Sequence, residues 1–464
     1  MDQLKLLPDV IVFEILDRIK ENVDKISFVL TAKRYWMLRR FLRFTVPSVL
    51  EDDEQMLIHQ IFNVKSHLRS FEDQRQRASS YIHYVTGRDL NKKETTNPTF
   101  GTNYTHVILH NARKEQIYCN SLPECCVHLN VGHHYNIPFD QGIFKNNRRI
   151  QSITFGYYFN RPLHVLNLPV NLTYLQLGAS FNQRIAPNTL PTTLKTLIFK
   201  DYHSKLDFPF EIGSLPASLT TLKLASYSHP IEVGILPFGL KNLVFSDNFN
   251  HPLTGSILPP GLTTLKLGYS FQCQVDLPQS LTRLSLEQSF GSIPTIPSTL
   301  RKLSVSGDIN TSLTNYCHLI DTLTIYMEQF DHQKLSCFKR LSKLYLYNVE
   351  LLDSSLDFIV PPTVKVLSIE DGIVGYRIIL PPSLEKLTIN DPSVLKYQSL
   401  PSTVYCFKYY GKGIFDFSKL PTTVQHLSFS CEHWQHIRFT PNIKRISSRI
   451  ALIRSSMKFQ EEQR

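Results

Sequence analysis

The residues most able to bind a metal lie close together, between positions 119 and 134. They are three cysteines and three histidines: Cys119, Cys125, Cys126, His128, His133 and His134. Thiolates and imidazoles bind zinc, but the spacing here matches none of the paired-ligand patterns of zinc sites. The surrounding pattern also predicts that Cys126 points into the core while His128 points outwards. We therefore predict no metal site and expect no cofactor.

Motifs for covalent or phosphoryl-transfer chemistry are lacking in the sequence. Gly411-Lys412-Gly413 places glycines around a lysine without the rest of a phosphate-binding loop, so we interpret it as a bend. Neither a Gly-x-Ser-x-Gly motif nor a protein-kinase signature occurs. We predict no catalytic residues and a non-enzymatic function.

Most of the chain repeats one pattern, Leu-Pro-x-x-Leu-x-x-Leu-x-Leu. Its prolines lie at positions 169, 191, 216, 237, 259, 278, 297, 361, 381, 401 and 421, and steps within each run are 19 to 25 residues. This period is typical of leucine-rich-repeat solenoids, in which stacked coils build a core together. We expect function to lie on a long repeated surface.

Each repeat predicts one strand. Its last two apolar residues are two positions apart, as in Leu222 and Leu224, and therefore share one side of an extended strand. Stacked coils then form a parallel sheet with this side facing the core. Proline has no N–H to donate, so we expect it at the entrance of each strand.

Several loops between the strands carry an aromatic-asparagine pair: Tyr135-Asn136, Phe159-Asn160, Phe181-Asn182 and Phe249-Asn250. We expect the rings to stack in the core behind the sheet. Asparagine is suited to binding backbone groups of a bend that lack a strand partner. Both residues of the pair are therefore interpreted as structural.

The strand positions that face away from the core carry the charge. From the repeat at Pro191 to that at Pro421, two such positions per strand hold seven basic residues, ten serines or threonines and no acid. The basic residues are Lys223, Lys266, Arg283, Lys302, Lys343, Lys386 and Lys408. In leucine-rich-repeat geometry this face is concave and makes contacts, which predicts a groove for an acidic or phosphorylated protein target. The alternative is a solvated face that only prevents aggregation.

The Leu-Pro strands and aromatic-asparagine loops resemble the FNIP repeat family, named for its Phe-Asn-Ile-Pro signature. The resemblance extends over roughly residues 105 to 445. It implies repeats of the leucine-rich-repeat kind, in agreement with the periodicity.

A helical pattern precedes the repeats. Pro8 is suited to a first helical position, residues 11–19 place apolar side chains on one face, Asp24 is a candidate N-cap, and residues 33–41 predict a third helix. This segment resembles an F-box, with its Leu-Pro-Asp opening, Ile-Leu pair and Lys-Arg-x-Trp ending. The resemblance implies docking on the Skp-type linker of a cullin-RING ubiquitin ligase through Leu7, Pro8, Ile11, Ile15, Leu16 and Trp36.

Thr31-Ala32 departs from the F-box pattern, where Val-Cys is common. The alternative is that these helices only cap the exposed first edge of the solenoid.

Together the patterns predict an α+β fold: a small N-terminal helical F-box followed by a leucine-rich-repeat-like parallel β-solenoid. We assign 1–47 to the F-box-like domain and 48–104 to a helical, charged linker and N-terminal cap. Residues 105–446 form the repeats, and 447–464 are a basic C-terminal tail or cap.

These resemblances imply a substrate-recognition adaptor of a Skp/cullin/F-box ubiquitin ligase, in which the repeats bind a protein target. The alternative is a protein-binding scaffold or decoy without a ligase. Nucleic-acid binding is suggested by a sequence pI of about 9.1, but hydroxyls rather than stacking aromatics separate the basic residues.

The composition bears on the compartment. Eight cysteines in 464 residues, without a Cys-x-x-Cys pair, are expected to be free thiols in a reducing interior. No stretch is apolar enough for a membrane span, and the first residues do not resemble a secretory signal. We expect a cytoplasmic protein, with the nucleus as an alternative.

Overall fold

A computed structural model describes residues 82–86, 106–110, 122–430 with gaps, and 445–449. The gaps are 123, 140–141, 146, 165–166, 201–205, 225–226, 287–294, 307–314, 352–356, 371–376, 396–398, 412–414 and 416–419. The described residues form two compact units, an N-terminal unit that ends at Leu300 and a C-terminal unit that begins at Arg301.

The N-terminal unit is a stack of coils with one strand per coil. Its strands are β1 (Ile82–Thr86), β2 (His106–His110), β3 (His128–Asn130), β4 (Ser152–Thr154), β5 (Tyr174–Leu177), β6 (Thr196–Phe199), β7 (Thr221–Leu224), β8 (Asn242–Phe245), β9 (Thr264–Leu267) and β10 (Arg283–Leu286). Consecutive strands pair in parallel throughout. Strand β1 lies within residues 48–104.

The C-terminal unit repeats this architecture. Its strands are β11 (Lys302–Ser306), β12 (Thr322–Phe330), β13 (Lys343–Leu351), β14 (Phe358–Ile359), β15 (Val366–Glu370), β16 (Ile378–Ile379), β17 (Lys386–Ile389), β18 (Cys406–Tyr409), β19 (His426–Ser430) and β20 (Arg445–Arg449). The main sheet pairs in parallel in the order β11-β12-β13-β15-β17-β18-β19-β20. Strands β14 and β16 form a separate two-stranded parallel sheet in the intervening loops.

Where it occurs, the Leu-Pro-x-x-Leu pattern forms a tight turn before the strand. The proline carbonyl accepts a hydrogen bond from the N–H three residues later, over 3.0 Å between Pro191 and Leu194. Equivalent turns begin at ten further prolines, from Pro169 to Pro421. Proline favours this geometry because its ring fixes φ. The prediction that proline lies at the strand entrance is confirmed.

A hydroxyl in the same turn connects one coil to the previous one. Thr193 Oγ1 lies 2.9 Å from the carbonyl oxygen of Val170 and 2.8 Å from that of Leu172. Serine or threonine makes the same pair of bonds at positions 280, 299, 383 and 403.

The inward strand positions build the core, as predicted. Register aligns one leucine from each of five successive strands: Leu175, Leu197, Leu222, Leu243 and Leu265. Each is 0% exposed. Each coil supplies one of these leucines, and a coil isolated from its neighbours would expose its leucine to water. The stability of a coil therefore depends on stacking.

The aromatic-asparagine loops fill the space behind the sheet. The rings of Phe159 and Phe181 stack with centroids 6.3 Å apart and planes 6° apart. Asn160 Oδ1 accepts from the backbone N–H of Asn182 over 2.9 Å. The predicted structural roles of both residues are therefore confirmed.

The predicted α+β class is wrong for the part of the chain described here. That part is almost entirely parallel β-solenoid of the leucine-rich-repeat kind, and its helices are short 3₁₀ segments at Cys317–Leu319, His332–Cys337 and Pro392–Leu395. The coil repeat of about twenty residues leaves room for a strand and a turn but not for a long helix. Residues 1–47, for which three helices were predicted, lie outside the described residues. Among described helices, none has the length and apolarity required for a transmembrane segment.

Candidate functional site

The outer face of the C-terminal unit carries three aligned lysines, which we term the lysine column: Lys302, Lys343 and Lys386. Register places Thr322 between the first two and Val366 between the last two. Each lysine side chain is exposed or half-exposed, whereas the residues that follow them in sequence are buried leucines. The alternation of the strands thus sends leucine to the core and lysine to solvent.

Lys386 also contacts an aromatic residue on the next coil. Its Nζ lies 5.5 Å from the ring centroid of Tyr405. Hydrogen bonding to Tyr405 raises the pKa of Lys386. The last lysine of the column is therefore held in place by its contact with Tyr405.

Lys408 extends the basic surface by one strand. It lies on β18, two residues after Cys406, which is itself in register with Lys386. Burial raises the pKa of the Cys406 thiol, and the nearby ammonium groups of Lys408 and Lys386 oppose that shift. Both lysines are thus close enough to act electrostatically on one position of the outer face.

The N-terminal unit carries a smaller basic group on its own outer face. Lys223 is in register with Val244, and Val244 with Lys266, so one strand separates the two lysines. Arg283 lies opposite Thr264 on the neighbouring strand. The structure therefore places all seven predicted basic residues on outer faces, in a group of three here and a group of four in the C-terminal unit.

Acidic groups border the lysine column and were not part of the sequence-based prediction. Glu370 lies in the third outward position of β15 and accepts from Ser368 Oγ over 3.1 Å. Glu385 immediately precedes Lys386, and its Oε1 lies 3.0 Å from Nζ of Lys365. Asp321 immediately precedes β12 and accepts from Thr322 Oγ1 over 2.7 Å. The sequence-based prediction considered only the first two outward positions of each strand, so it did not include these carboxylates.

An aromatic pair lies further along the same strands. The rings of Tyr326 and Tyr347 stack with centroids 5.1 Å apart and planes 13° apart, and Tyr326 is 40% exposed. Both occupy the third outward position, and register aligns them. Their equal spacing from Leu323 and Leu344 is a sequence signal that could have identified the pair.

The cysteine and histidine cluster near β3 is divided between core and surface. Cys126 is buried, and desolvation raises the pKa of its thiol to about 12. His128 lies on the outer side of β3, and partial burial lowers its pKa. The two remaining histidines of the cluster contact aromatic rings on the next coil. The stacked and edge-to-face contacts involve His133, His134, Tyr157 and Tyr158. Among described residues no group of three potential metal ligands converges; Cys119 lies outside them.

The residues implied by the F-box resemblance, Leu7, Pro8, Ile11, Ile15, Leu16 and Trp36, also lie outside the described residues. Their docking role stays a prediction from sequence.

Comparison with known proteins finds similarity to one repeat family. Residues 159–202, 227–270 and 249–289 match the FNIP Repeat family. These three segments are similar to FNIP repeats. An FNIP repeat-containing protein of Dictyostelium discoideum is 31% identical over 122 residues, which cover 23% of this chain and 24% of that protein. The match thus spans about a quarter of the length of that relative.

Two solved structures are similar to this chain. A protein described as a novel circular LRR protein, CroV588, is 22% identical with a TM-score of 0.48, and the match covers 75% of this chain and 59% of that one. YopM from Yersinia enterocolitica is 17% identical with a TM-score of 0.34, covering 75% of this chain and 82% of that one. Repeat solenoids of the kind described above are typical non-catalytic binding scaffolds, because stacking creates an extended surface.

Proposed function

We propose that this chain is a protein-binding scaffold whose outer sheet face binds an acidic or phosphorylated segment of a target protein. The observation that carries the proposal is that the first two outward positions of the main-sheet strands hold basic residues and no acidic one. Three basic residues lie on β6 to β10 of the N-terminal unit and four on β11 to β19 of the C-terminal unit. Aligned basic side chains concentrate partners of the opposite charge and increase their rate of association.

We further propose that the scaffold is the substrate-recognition subunit of a Skp/cullin/F-box ubiquitin ligase. The F-box resemblance of residues 1–47 supports this role. Such an adaptor needs no catalytic residue, because it increases the effective concentration of target lysines near the ubiquitin donor. A scaffold or decoy without a ligase is the alternative.

Co-purification with the Skp-type linker separates the two roles. The intact chain should capture the linker, and Leu7→Asp with Ile15→Asp should abolish capture because two apolar contacts become charged. Leu7→Met with Ile15→Val is the matched control and should retain capture. If the intact chain fails to bind purified linker, the ligase role is wrong while the scaffold role stands.

Target binding has a separate test. Charge reversal at Lys302, Lys343 and Lys386 to Glu should strongly reduce capture of acidic proteins by the full chain, and added salt should weaken capture by the native chain. Unchanged capture of the same proteins by the reversed variant would contradict the proposed face.

A further inference from the structure

The spacing of the lysine column defines a repeat distance for its ligand. One strand separates Lys302 from Lys343, and one separates Lys343 from Lys386. Adjacent strands lie about 4.8 Å apart, so the backbone positions of the lysines recur about every 9.6 Å. A ligand that pairs with all three must carry negative groups at a similar distance along the stacking direction.

The residues between the lysines of the column do not block a ligand that lies along it. Thr322 and Val366 are neutral and half-exposed, and each is shorter than the lysines on either side. Within the described residues, neither Lys302 nor Lys343 forms an ion pair. Both ammonium groups are therefore available to an incoming anion.

One backbone conformation matches the distance well. A polyproline II helix has three residues per turn and rises about 3.1 Å per residue, so side chains three apart share one side at about 9.3 Å. In a β-strand, residues three apart point to opposite sides. In an α-helix, neighbours on one face are about 5–6 Å apart, and residues seven apart on that face are about 10.5 Å apart, which exceeds the column spacing by about 1 Å. Polyproline II is thus the regular conformation whose side-chain repeat is closest to the spacing of the column.

Carboxylates restrict where an anionic segment can lie. Glu370 occupies the third outward position of β15, while Asp321 and Glu385 precede the first outward positions of β12 and β17. They therefore lie on both sides of the column along the strand direction, and Lys365 partly neutralises Glu385. Repulsion from these groups favours a single track over the lysines.

We propose that the lysine column binds an extended protein segment, in polyproline II conformation, with an acidic group at every third residue. This inference rests on the proposed binding of an acidic target and specifies the pattern that the target carries. The negative group is a carboxylate of Asp or Glu or a phosphate on Ser or Thr, since each accepts hydrogen bonds from lysine.

Fluorescence anisotropy with the full-length chain tests the spacing. The probe is a labelled peptide of three Glu-Pro-Pro repeats, and its control has the same composition with the glutamates contiguous. A second pair with phosphoserine in place of glutamate shows which source of charge is preferred. We expect the spaced peptide to bind about tenfold more tightly than its control, as for several weak charge pairs acting together.

Substitution locates the binding. Lys302→Ser, Lys343→Ser and Lys386→Ser together should remove the preference for the spaced peptide. Lys339→Ser removes an exposed lysine from the turn before β13, outside the column, and should leave it intact. Because all four lysines are solvent-accessible, the variants should fold, which circular dichroism would establish.

The possible outcomes separate the predicted three-residue spacing from the proposed binding of an acidic target. Equal affinity for spaced and contiguous peptides, lost in both on triple substitution, would overturn the spacing while leaving the acidic target intact. Absence of binding to every peptide, with unchanged protein capture after charge reversal, would overturn both. Tighter binding of single-stranded RNA through the same lysines would overturn a protein ligand.

Discussion

The side-chain oxygen of Asn160 accepts a hydrogen bond from the backbone N–H of Asn182, one coil further along, over 2.9 Å. Gln183 Nε2 donates to the same oxygen over 2.8 Å. The N–H of Asn160 donates in turn to Asn136 Oδ1, also over 2.9 Å. This ladder supplies partners for backbone groups in bends that the strands do not reach.

Asn160→Ala should lower the free energy of unfolding by about 1–3 kcal/mol, because it leaves donors of Asn182 and Gln183 without their acceptor. Asn171→Ala is the matched control; Asn171 is exposed and donates only to the carbonyl of Arg148. Its cost should be about 0.5 kcal/mol or less. Urea titration monitored by circular dichroism measures both. Equal midpoints for the two variants would show that the ladder is not stabilising.

Gly156→Ala should destabilise the N-terminal unit strongly. A Cβ at this position would lie 2.0 Å from the carbonyl oxygen of Gly132, and a Cβ at Gly178 would lie 1.8 Å from that of Gly156. Backbone atoms cannot move aside easily in a stacked array, so we expect a cost of about 3 kcal/mol.

Gly239→Ala is its control, because the nearest atom to a new Cβ, the Ala217 oxygen, is 3.5 Å away. This variant should change stability by less than about 1 kcal/mol. Thermal unfolding compares the pair, and a native-like midpoint for Gly156→Ala would refute the close approach of the coils.

Thr193→Val should weaken the junction between two coils. It keeps the shape of the side chain but removes the hydroxyl, whose one proton is shared between the carbonyls of Val170 and Leu172. The expected loss is about 1–2 kcal/mol. Thr192→Val alters the exposed neighbour in the same turn and should have little effect. Chemical denaturation of both variants provides the measurement; similar losses would show that the hydrogen bonds of Thr193 do not stabilise the junction.

Burial of Cys126 predicts a decline in stability at alkaline pH. Its folded-state pKa is raised from 9.0 to about 12 by desolvation, so above pH 9 the unfolded chain loses a proton that the folded chain keeps. The free energy of unfolding should therefore fall by up to about 1.4 kcal/mol per pH unit between these values.

Cys126→Ala separates this effect from other titrations. Urea midpoints of the native chain and the variant, measured from pH 8 to pH 10 under reducing conditions, should converge as pH rises. Parallel curves would mean that the thiol is not protected in the folded state.

The sequence predicted the strand and the core residues of each coil, but it did not predict all of the hydrogen bonds between coils. The spacing of Leu222 and Leu224 indicated a buried strand side, and Asn160 was correctly interpreted as a bend-stabilising residue. The hydroxyl of Thr193 was missed because its acceptors, Val170 and Leu172, belong to the previous coil. The turn propensity of a residue depends on its own segment of the chain, whereas these hydrogen bonds form only when two coils stack.

The aromatic pair and the carboxylates near the lysine column show the same limit. Tyr326 and Tyr347 are separated by a complete coil, and their stacking requires β12 and β13 to pair in one particular register. A register shifted by one residue would place one ring opposite a residue of the other face. Local pattern does not specify that register, because turns and loops of different lengths connect the strands.

The sequence alone determined the one-strand coil, the inward leucines and the outward lysines, because alternation along a strand is a local property of the backbone. Only the tertiary structure decided that Lys302, Lys343 and Lys386 share one column with a single strand between neighbours. That arrangement depends on hydrogen bonding between strands distant in sequence, and it sets the distance at which a ligand's charges must recur.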